Sequence, residues 1–310
     1  MDKELISVVI PTYKRFDVLS RAIDSALNQT YTNIEIIVID DNKKDSQYRK
    51  KTEEVMKKYE KNSKIRYLKN EKNLGGAETR NVGIKASKGE FIAFLDDDDE
   101  FVKDKIEKQL KYYKQLNSDK IGLIYCYTEI RSEDGNDSIV VKKDFEGNQL
   151  YNHMLYFIAT TSTWLCKKRV LEDIGGFEDV PSNQDATVLL NLLSKGYEVY
   201  RVPEVLLILY GHDQSNNGIS GYTKKNLESF KLYRDKCRKQ YKLLKDGENS
   251  NKIEYEFHRR LLNYYIRDRK FKEAFKELKG MFETDFLKIS NLKNLVKIIL
   301  YAIFYKGELR

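Results

Sequence analysis

Ile6-Ser-Val-Val-Ile10 is a short β-branched run, Pro11-Thr-Tyr13 interrupts it, and from Asp17 to Asn28 the residues Val18, Leu19, Ala22, Ile23, Ala26 and Leu27 recur at helical spacing. Strand, loop and helix in that order form a unit that the chain then repeats. Ile34-Glu-Ile-Ile-Val-Ile39 reads as a buried strand that stops at Asp40-Asp41-Asn42 and leads into a lysine-rich helix ending near Tyr59. Ile65-Arg-Tyr-Leu68 predicts a third strand and Gly76 to Ser87 another helix. Glu90-Phe-Ile-Ala-Phe-Leu95 predicts a fourth strand, running into Asp96-Asp-Asp-Asp99. Alternating strands and helices imply right-handed crossovers and an α/β fold with a mainly parallel sheet flanked by helices.

Ligands of such sheets gather beyond the carboxyl ends of the strands, where this chain has three polar loops: Pro11-Thr-Tyr13, Asp40-Asp41 and the four aspartates. The first of these loops has no glycine, Asn73-Leu-Gly-Gly-Ala77 does not fit G-x-G-x-x-G, and there is no P-loop. Any bound phosphate must therefore be neutralised in another way. Four successive carboxylates repel one another unless a cation or hydrogen-bond donors offset the charge. Mg²⁺ or Mn²⁺ commonly takes one or two protein carboxylates together with substrate phosphates, which suits a nucleoside diphosphate leaving group. On the run alone, a solvated acidic turn heading a helix that begins near Val102 is the alternative.

At 310 residues the chain has room for one catalytic domain of about 200 residues and a smaller appended unit. Cys126, Cys166 and Cys237 are odd in number, far apart and without CxxC spacing, so neither a disulfide framework nor a zinc site is expected, and a reducing cytosol fits best. The opening MDKELISVVIPTYKR has no basic segment followed by a long apolar run, so no signal peptide is expected. Ile298 to Tyr305 falls far short of the roughly 20 residues a membrane-crossing helix needs.

The net charge of +8 is unevenly placed. Residues 224–310 carry 23 basic and 12 acidic side chains; subtracted from 56 and 48 in the whole chain, this leaves 33 and 36 before them. The excess belongs to the tail, either as a solvated helical face or as a contact for an anionic surface or partner. Nucleic acid is a poor partner, since no zinc-finger, RNP or basic-zipper pattern accompanies the charge.

Five stretches in order resemble the successive signatures of glycosyltransferase family 2. They are Ser7-Val-Val-Ile-Pro-Thr-Tyr13, Ala22-Ile-Asp-Ser-Ala-Leu-Asn-Gln-Thr-Tyr31, Ile36-Ile-Val-Ile-Asp-Asp41, Asn73-Leu-Gly-Gly-Ala-Glu-Thr-Arg-Asn-Val-Gly83 and Phe94-Leu-Asp-Asp-Asp-Asp99. The resemblance runs from about residue 5 to 220 and implies the GT-A fold, a nucleotide-sugar donor and inversion at the anomeric carbon. It implies that Pro11, Thr12 and Tyr13 line a base pocket, with the Tyr13 ring against the nucleobase. Asp41, with Asp40 beside it, would accept a hydrogen bond from the base. A carboxylate there suits the N3 proton of uracil and repels the ring nitrogen of cytosine, so the donor is expected to be a UDP-sugar. Arg80 resembles the family's basic residue near the donor, although pairing with a neighbouring acid is its plainer role. In the D-x-D part, Asp96 would approach ribose or sugar hydroxyls with Asp97 beside it, and Asp98 would bind the metal.

Thr160-Thr-Ser-Thr-Trp-Leu165 and Val170-Leu-Glu-Asp-Ile-Gly-Gly-Phe177 resemble the family's acceptor-side stretch. Trp164, the only tryptophan, is either a platform for a sugar face or a core residue. Where the family usually has Glu-Asp heading an amphipathic helix, this chain has Gln184-Asp185. An inverting transfer needs one carboxylate to take the acceptor hydroxyl proton, and Asp185 matches that position. Its plainer role is a helix-start carboxylate. His212, in Leu209-Tyr-Gly-His-Asp-Gln-Ser215, resembles a family histidine near the diphosphate and is a metal ligand or phosphate donor on that reading, or an ordinary surface residue.

The resemblance thus divides the chain into a catalytic domain over 1–222, whose nucleotide and metal half is 1–100 and acceptor half 101–222, and a basic helical extension over 223–310. Phe257 to Ile266 and Phe271 to Leu278 have helical-hairpin spacing. Leu292 to Tyr305 joins an apolar surface to a few lysines, suited to internal packing, a neighbouring subunit in a homo-oligomer or a membrane interface. The expected activity is transfer of a hexose or N-acetylhexosamine from a UDP-sugar to a hydroxyl of a cell-surface glycan, lipid-linked oligosaccharide or glycoprotein, in the cytoplasm at the inner face of the cell membrane. A non-catalytic sugar-nucleotide-binding scaffold and a nucleotidyltransferase are the rivals.

Overall fold

The computed structural model describes residues 4–132, 136–211, 223–285 and 293–295. The β-branched runs form β1 (Ile6–Thr12), β2 (Ile34–Asp40), β3 (Ile65–Lys69) and β4 (Phe91–Phe94). Between them lie α1 (Leu19–Leu27), α2 (Gln47–Lys57) and α3 (Gly76–Ala86). β1 pairs in parallel with β2 and β4, and β2 with β3.

Both faces of this parallel portion are covered, which is why every residue of β2 is buried and no in-out alternation is visible in its sequence. Ile6, Val8 and Ile10 of β1 belong to one core cluster with Leu19, Ala22, Ile23 and Ala26 of α1. On the opposite face α3 lies so close that a Cβ on Gly83 would sit 2.3 Å from Val9 Cγ1 and 3.1 Å from Ile39 Cδ1. Glycine at 83 lets the helix approach the sheet.

The second half adds β5 (Glu100–Phe101), α4 (Lys105–Leu116), β6 (Ile121–Ser132), β7 (Ser138–Val141) and α5 (Leu150–Leu155). A 3₁₀ turn at Thr161–Thr163 follows, then β8 (Leu165–Lys167), α6 (Lys168–Asp173), α7 (Gln184–Ser194) and β9 (Glu198–Gly211). The strand order is β3-β2-β1-β4-β8-β6-β9-β5, with β7 against β6. β8 is antiparallel to β4 and β6, β5 to β9 and β7 to β6, while β6 and β9 run parallel. The sheet is therefore mixed: its parallel character in the first hundred residues follows the strand-helix alternation, and the antiparallel pairs enter with the second half.

The remaining helices are α8 (Lys224–Lys239), α9 (Ser250–Arg267) and α10 (Phe271–Thr284). Chain contacts divide the protein into a sheet-bearing unit, residues 1–149, 158–180 and 184–215, and a helical unit, residues 150–157, 181–183 and 216–310. The helical unit has its own core, in which Tyr255, Leu261, Leu262 and Tyr265 meet Ala274, Leu278 and Met281. Its polar interior includes His258 Nδ1 at 2.6 Å from Glu277 Oε2. All three cysteines are free and buried, Cys126 and Cys166 in the first unit and Cys237 in the second. Among the described residues no helix is long and apolar enough to cross a membrane.

Candidate active site

Parallel strands end together, so β1, β2 and β4 deliver Thr12-Tyr13, Asp40-Asp41 and Asp96 to Asp99 to one edge. Asp40 is buried and accepts from Asn42 N at 2.8 Å and Tyr67 Oη at 2.6 Å, while Arg49 Nε lies 3.0 Å from its Oδ2. The buried Arg49 guanidinium also donates to the Asp40, Asn42 and Asn70 carbonyls, tying the ends of β2 and β3.

Asp41 is equally engaged. Its Oδ1 accepts from Asn70 Nδ2 and Leu74 N, each at 2.8 Å, and its Oδ2 from Asn73 Nδ2 at 2.8 Å and Gly75 N at 2.9 Å. Four donors on one carboxylate fix the loop that opens α3, with Gly75 at φ 83°. Asp41 thus sits at the expected edge and, within the chain, shapes the loop leading to Arg80.

Three of the four aspartates, Asp96 to Asp98, are held by arginines. Tyr13 N donates to Asp97 Oδ2 at 3.2 Å; Arg15 Nη1 reaches Asp97 Oδ1 at 3.3 Å and makes a closer ion pair with Asp98 Oδ2. Arg21 Nη2 donates to the Asp98 carbonyl at 2.8 Å, its guanidinium 3.6 Å from the Tyr210 ring centre. Arg80, on α3, pairs through Nη2 with Asp96 and donates through Nη1 to Gln184 Oε1 at 3.2 Å. Ser162 Oγ accepts from Asp96 N at 3.1 Å. Both buried carboxyls are nonetheless harder to ionise: burial, then the neighbouring Asp98, pushes the Asp97 carboxyl up to about 7, and burial with Asp96 and Asp98 raises Asp99 well above the carboxylate range.

Asp185 lies in the first turn of α7, where its Oδ1 accepts from Ala186 N at 3.0 Å. Burial pushes its carboxyl up to about 6 against the lowering effects of that hydrogen bond and of Arg80. Gln184 completes the link, because Arg80 joins it to Asp96 on the opposite side of the site.

Of the residues singled out from sequence, Arg80 pairs with Asp96, while Asp97 and Asp98 are bridged by Arg15, and Asp185 lies within the electrostatic reach of Arg80 and Asp96. Thr12 is buried beside them, Pro11 is half-buried and Tyr13 presents an exposed ring. His212 lies outside the described residues. The sugar-platform reading of Trp164 is overturned: the ring is fully buried, stacked on Phe177 and edge-on to Phe94. Arg15, Arg21, Arg49, Asn70 and Ser162 were not foreseen. Their partners lie from 7 to 83 residues away, and the sequence offered only that acidic runs need counter-charge.

A curled α/β sheet whose strand ends gather acidic loops around a basic residue is the architecture of a GT-A glycosyltransferase. The crystal structure of S. aureus TarS 1-349 in complex with UDP-GlcNAc shares the fold at a TM-score of 0.64 and 17% identity, over 96% of this chain and 88% of that one. The family model described as Glycosyl transferase family 2 matches residues 7–175, and the chain belongs to that family. An uncharacterized glycosyltransferase of Methanocaldococcus jannaschii is 30% identical over 238 residues, 74% of this chain and 78% of that protein. The UDP-Glc:alpha-D-GlcNAc-diphosphoundecaprenol beta-1,3-glucosyltransferase WfaP of Escherichia coli is 32% identical over 196 residues, 62% of this chain and 72% of that one. Matches to some longer relatives are local: a Rickettsia felis glycosyltransferase is 46% identical over 112 residues, and the match spans 18% of its length.

Proposed function

We propose that the protein is an inverting glycosyltransferase that moves a hexose or N-acetylhexosamine from a UDP-sugar to a hydroxyl of a lipid-linked oligosaccharide or other cell-surface glycan. The observation carrying this reading is the Arg80 bridge, which brings the acidic loop after β4 and the head of α7 to one site through Asp96 and Gln184. The names of WfaP and of the TarS complex, with UDP-Glc and UDP-GlcNAc, favour a uridine donor.

In this reading Pro11, Thr12 and Tyr13 line the base pocket, with the exposed Tyr13 ring available to stack on the base. Asp41 contributes by shaping the 73–75 loop, its two oxygens already taken by four donors of the chain. Asp96, paired with Arg80, faces the ribose and sugar hydroxyls. Asp185 takes the proton of the acceptor hydroxyl as its oxygen attacks the anomeric carbon from the face opposite the departing diphosphate, which inverts that carbon. A carboxyl raised to about 6 is ionised at neutral pH and basic enough for this task.

The acidic loop fits a cation only of a particular kind. Among the described residues no group of three or more His, Cys, Asp or Glu side chains is arranged to hold a metal. The run of neighbouring carboxylates fits Mg²⁺ or Mn²⁺ taking Asp98, with Asp97 nearby, and filling its shell from the substrate's phosphates. Such an ion would neutralise charge developing on the leaving diphosphate. The basic segment after residue 224 suits an anionic membrane surface or a second subunit.

Release of UDP from a panel of UDP-sugars incubated with purified protein and Mn²⁺ tests the proposal. Slow hydrolysis of one donor is expected. Pyrophosphate released from a nucleoside triphosphate and a sugar phosphate, with no UDP release, would instead identify a nucleotidyltransferase.

A further inference from the structure

Three arginines reach the acidic loop, and two of them are pinned. Arg80 is held between Asp96 and Gln184, and Arg21 lies on the Tyr210 ring while donating to a backbone carbonyl. Arg15 differs. It leaves the loop after β1 with a side chain 40% exposed and applies one terminal nitrogen, Nη1, to both Asp97 and Asp98, which are 7% and 13% exposed. A half-exposed cation on the solvent side thus sits against two largely buried carboxylates that follow β4.

That position is where a divalent ion bound to Asp98 would find a like charge in its way. A nucleoside diphosphate offers the guanidinium an alternative, since phosphate oxygens match its planar fork with paired hydrogen bonds that a shared Nη1 contact lacks. We propose that Arg15 is a positioning residue that holds Asp97 and Asp98 while the site lacks nucleotide and transfers to the diphosphate on its arrival, freeing Asp98 for the cation. The inference rests on the reading that this loop binds a nucleoside diphosphate with a divalent ion. Its consequence is coupling: the cation binds weakly until the diphosphate is present, and by linkage each ligand tightens the other equally.

Electron paramagnetic resonance of free Mn²⁺, titrated against the full-length protein with and without UDP, reads this directly and needs no turnover. In the wild type, saturating UDP is expected to raise Mn²⁺ affinity about tenfold or more, within the usual range of coupling between sites. Arg15→Gln removes the resident charge, so it is expected to bind Mn²⁺ about tenfold more tightly than wild type without UDP and to lose most of the coupling. Arg15→Lys restores a cation and should return nucleotide-free Mn²⁺ affinity toward wild type, which a purely structural role would not require. Arg15→Met, likewise uncharged and with the same expected tightening, serves as the test variant if glutamine does not fold. Calorimetry of UDP in EDTA adds an independent readout, with weaker UDP binding expected for Arg15→Gln. Nucleotide-free Mn²⁺ affinity unchanged in the uncharged variant overturns the role of Arg15 alone. Absence of Mn²⁺ binding by all three proteins with UDP bound overturns the cation reading and the exchange with it.

Discussion

Asp185 has one backbone donor on its Oδ1 and dense protein around it, and this balance sets its acidity. Because its carboxyl is raised to about 6, the folded protein retains a proton between about pH 4 and 6 that the unfolded chain has released. Stability from this group is therefore full below about pH 4 and is lost as pH rises through 6. At neutral pH the ionised side chain is a cost. Asp185→Asn should remove that cost, stabilising the protein at pH 7.5 by on the order of 2–3 kcal/mol, a gain that disappears near pH 4 in thermal melts. The same variant loses the basic lone pair, so turnover at saturating donor and acceptor should fall by about 10²–10⁴-fold. Turnover close to wild type would remove Asp185 from the mechanism and leave it a helix-start residue, for which asparagine is a good substitute. In the wild type, kcat/KM should rise with pH and level off above about 6.

At the scale of elements, α3 carries the site because it lies against the sheet at Gly83, one turn beyond Arg80. Gly83→Ala puts a methyl group into Val9 and forces the helix outward. A destabilisation of roughly 1–3 kcal/mol is expected from overpacking, although alanine alone would favour the helix by about 1 kcal/mol. Denaturant melts check the first effect; UDP affinity should weaken alongside it, and a variant as stable as wild type would show that the contact is slack. The strands that brought Asp40 and Asp96 to the edge were legible because buried parallel strands are unbroken runs of β-branched and aromatic residues bounded by polar loops. β5 has only two residues, and it displaced the start of α4 from near Val102 to Lys105. β9 was hidden for another reason: it contains Pro203 and several half-exposed positions, and its register with β6 shifts near Cys126 and Tyr127. The acidic residues of the site were legible as motifs. Their arginine partners were not, because Arg15 and Arg21 meet Asp98 across 83 and 77 residues of chain.

Over the whole molecule, the first four strands and the helical character of residues 224–284 could be read from periodicity, while the helical unit's share of residues 150–157 and 181–183 could not. Those short pieces are assigned by tertiary contacts such as Ser182 N donating to Ser229 Oγ at 2.8 Å, for which sequence spacing gives no signal. The buried cysteines give the molecule one more property. Burial pushes the thiols of Cys126 and Cys237 up to about 11 and 12 and raises that of Cys166 further, so little nucleophilic thiolate is present near neutrality. An alkylating reagent can then modify each sulfur only during transient openings, and the rate of uptake becomes a clock for them. Peptide mapping after timed exposure to iodoacetamide should show Cys126 and Cys166 reporting on one unit and Cys237 on the other, so that each unit's unlocking is timed separately in a single unlabelled, unmutated chain.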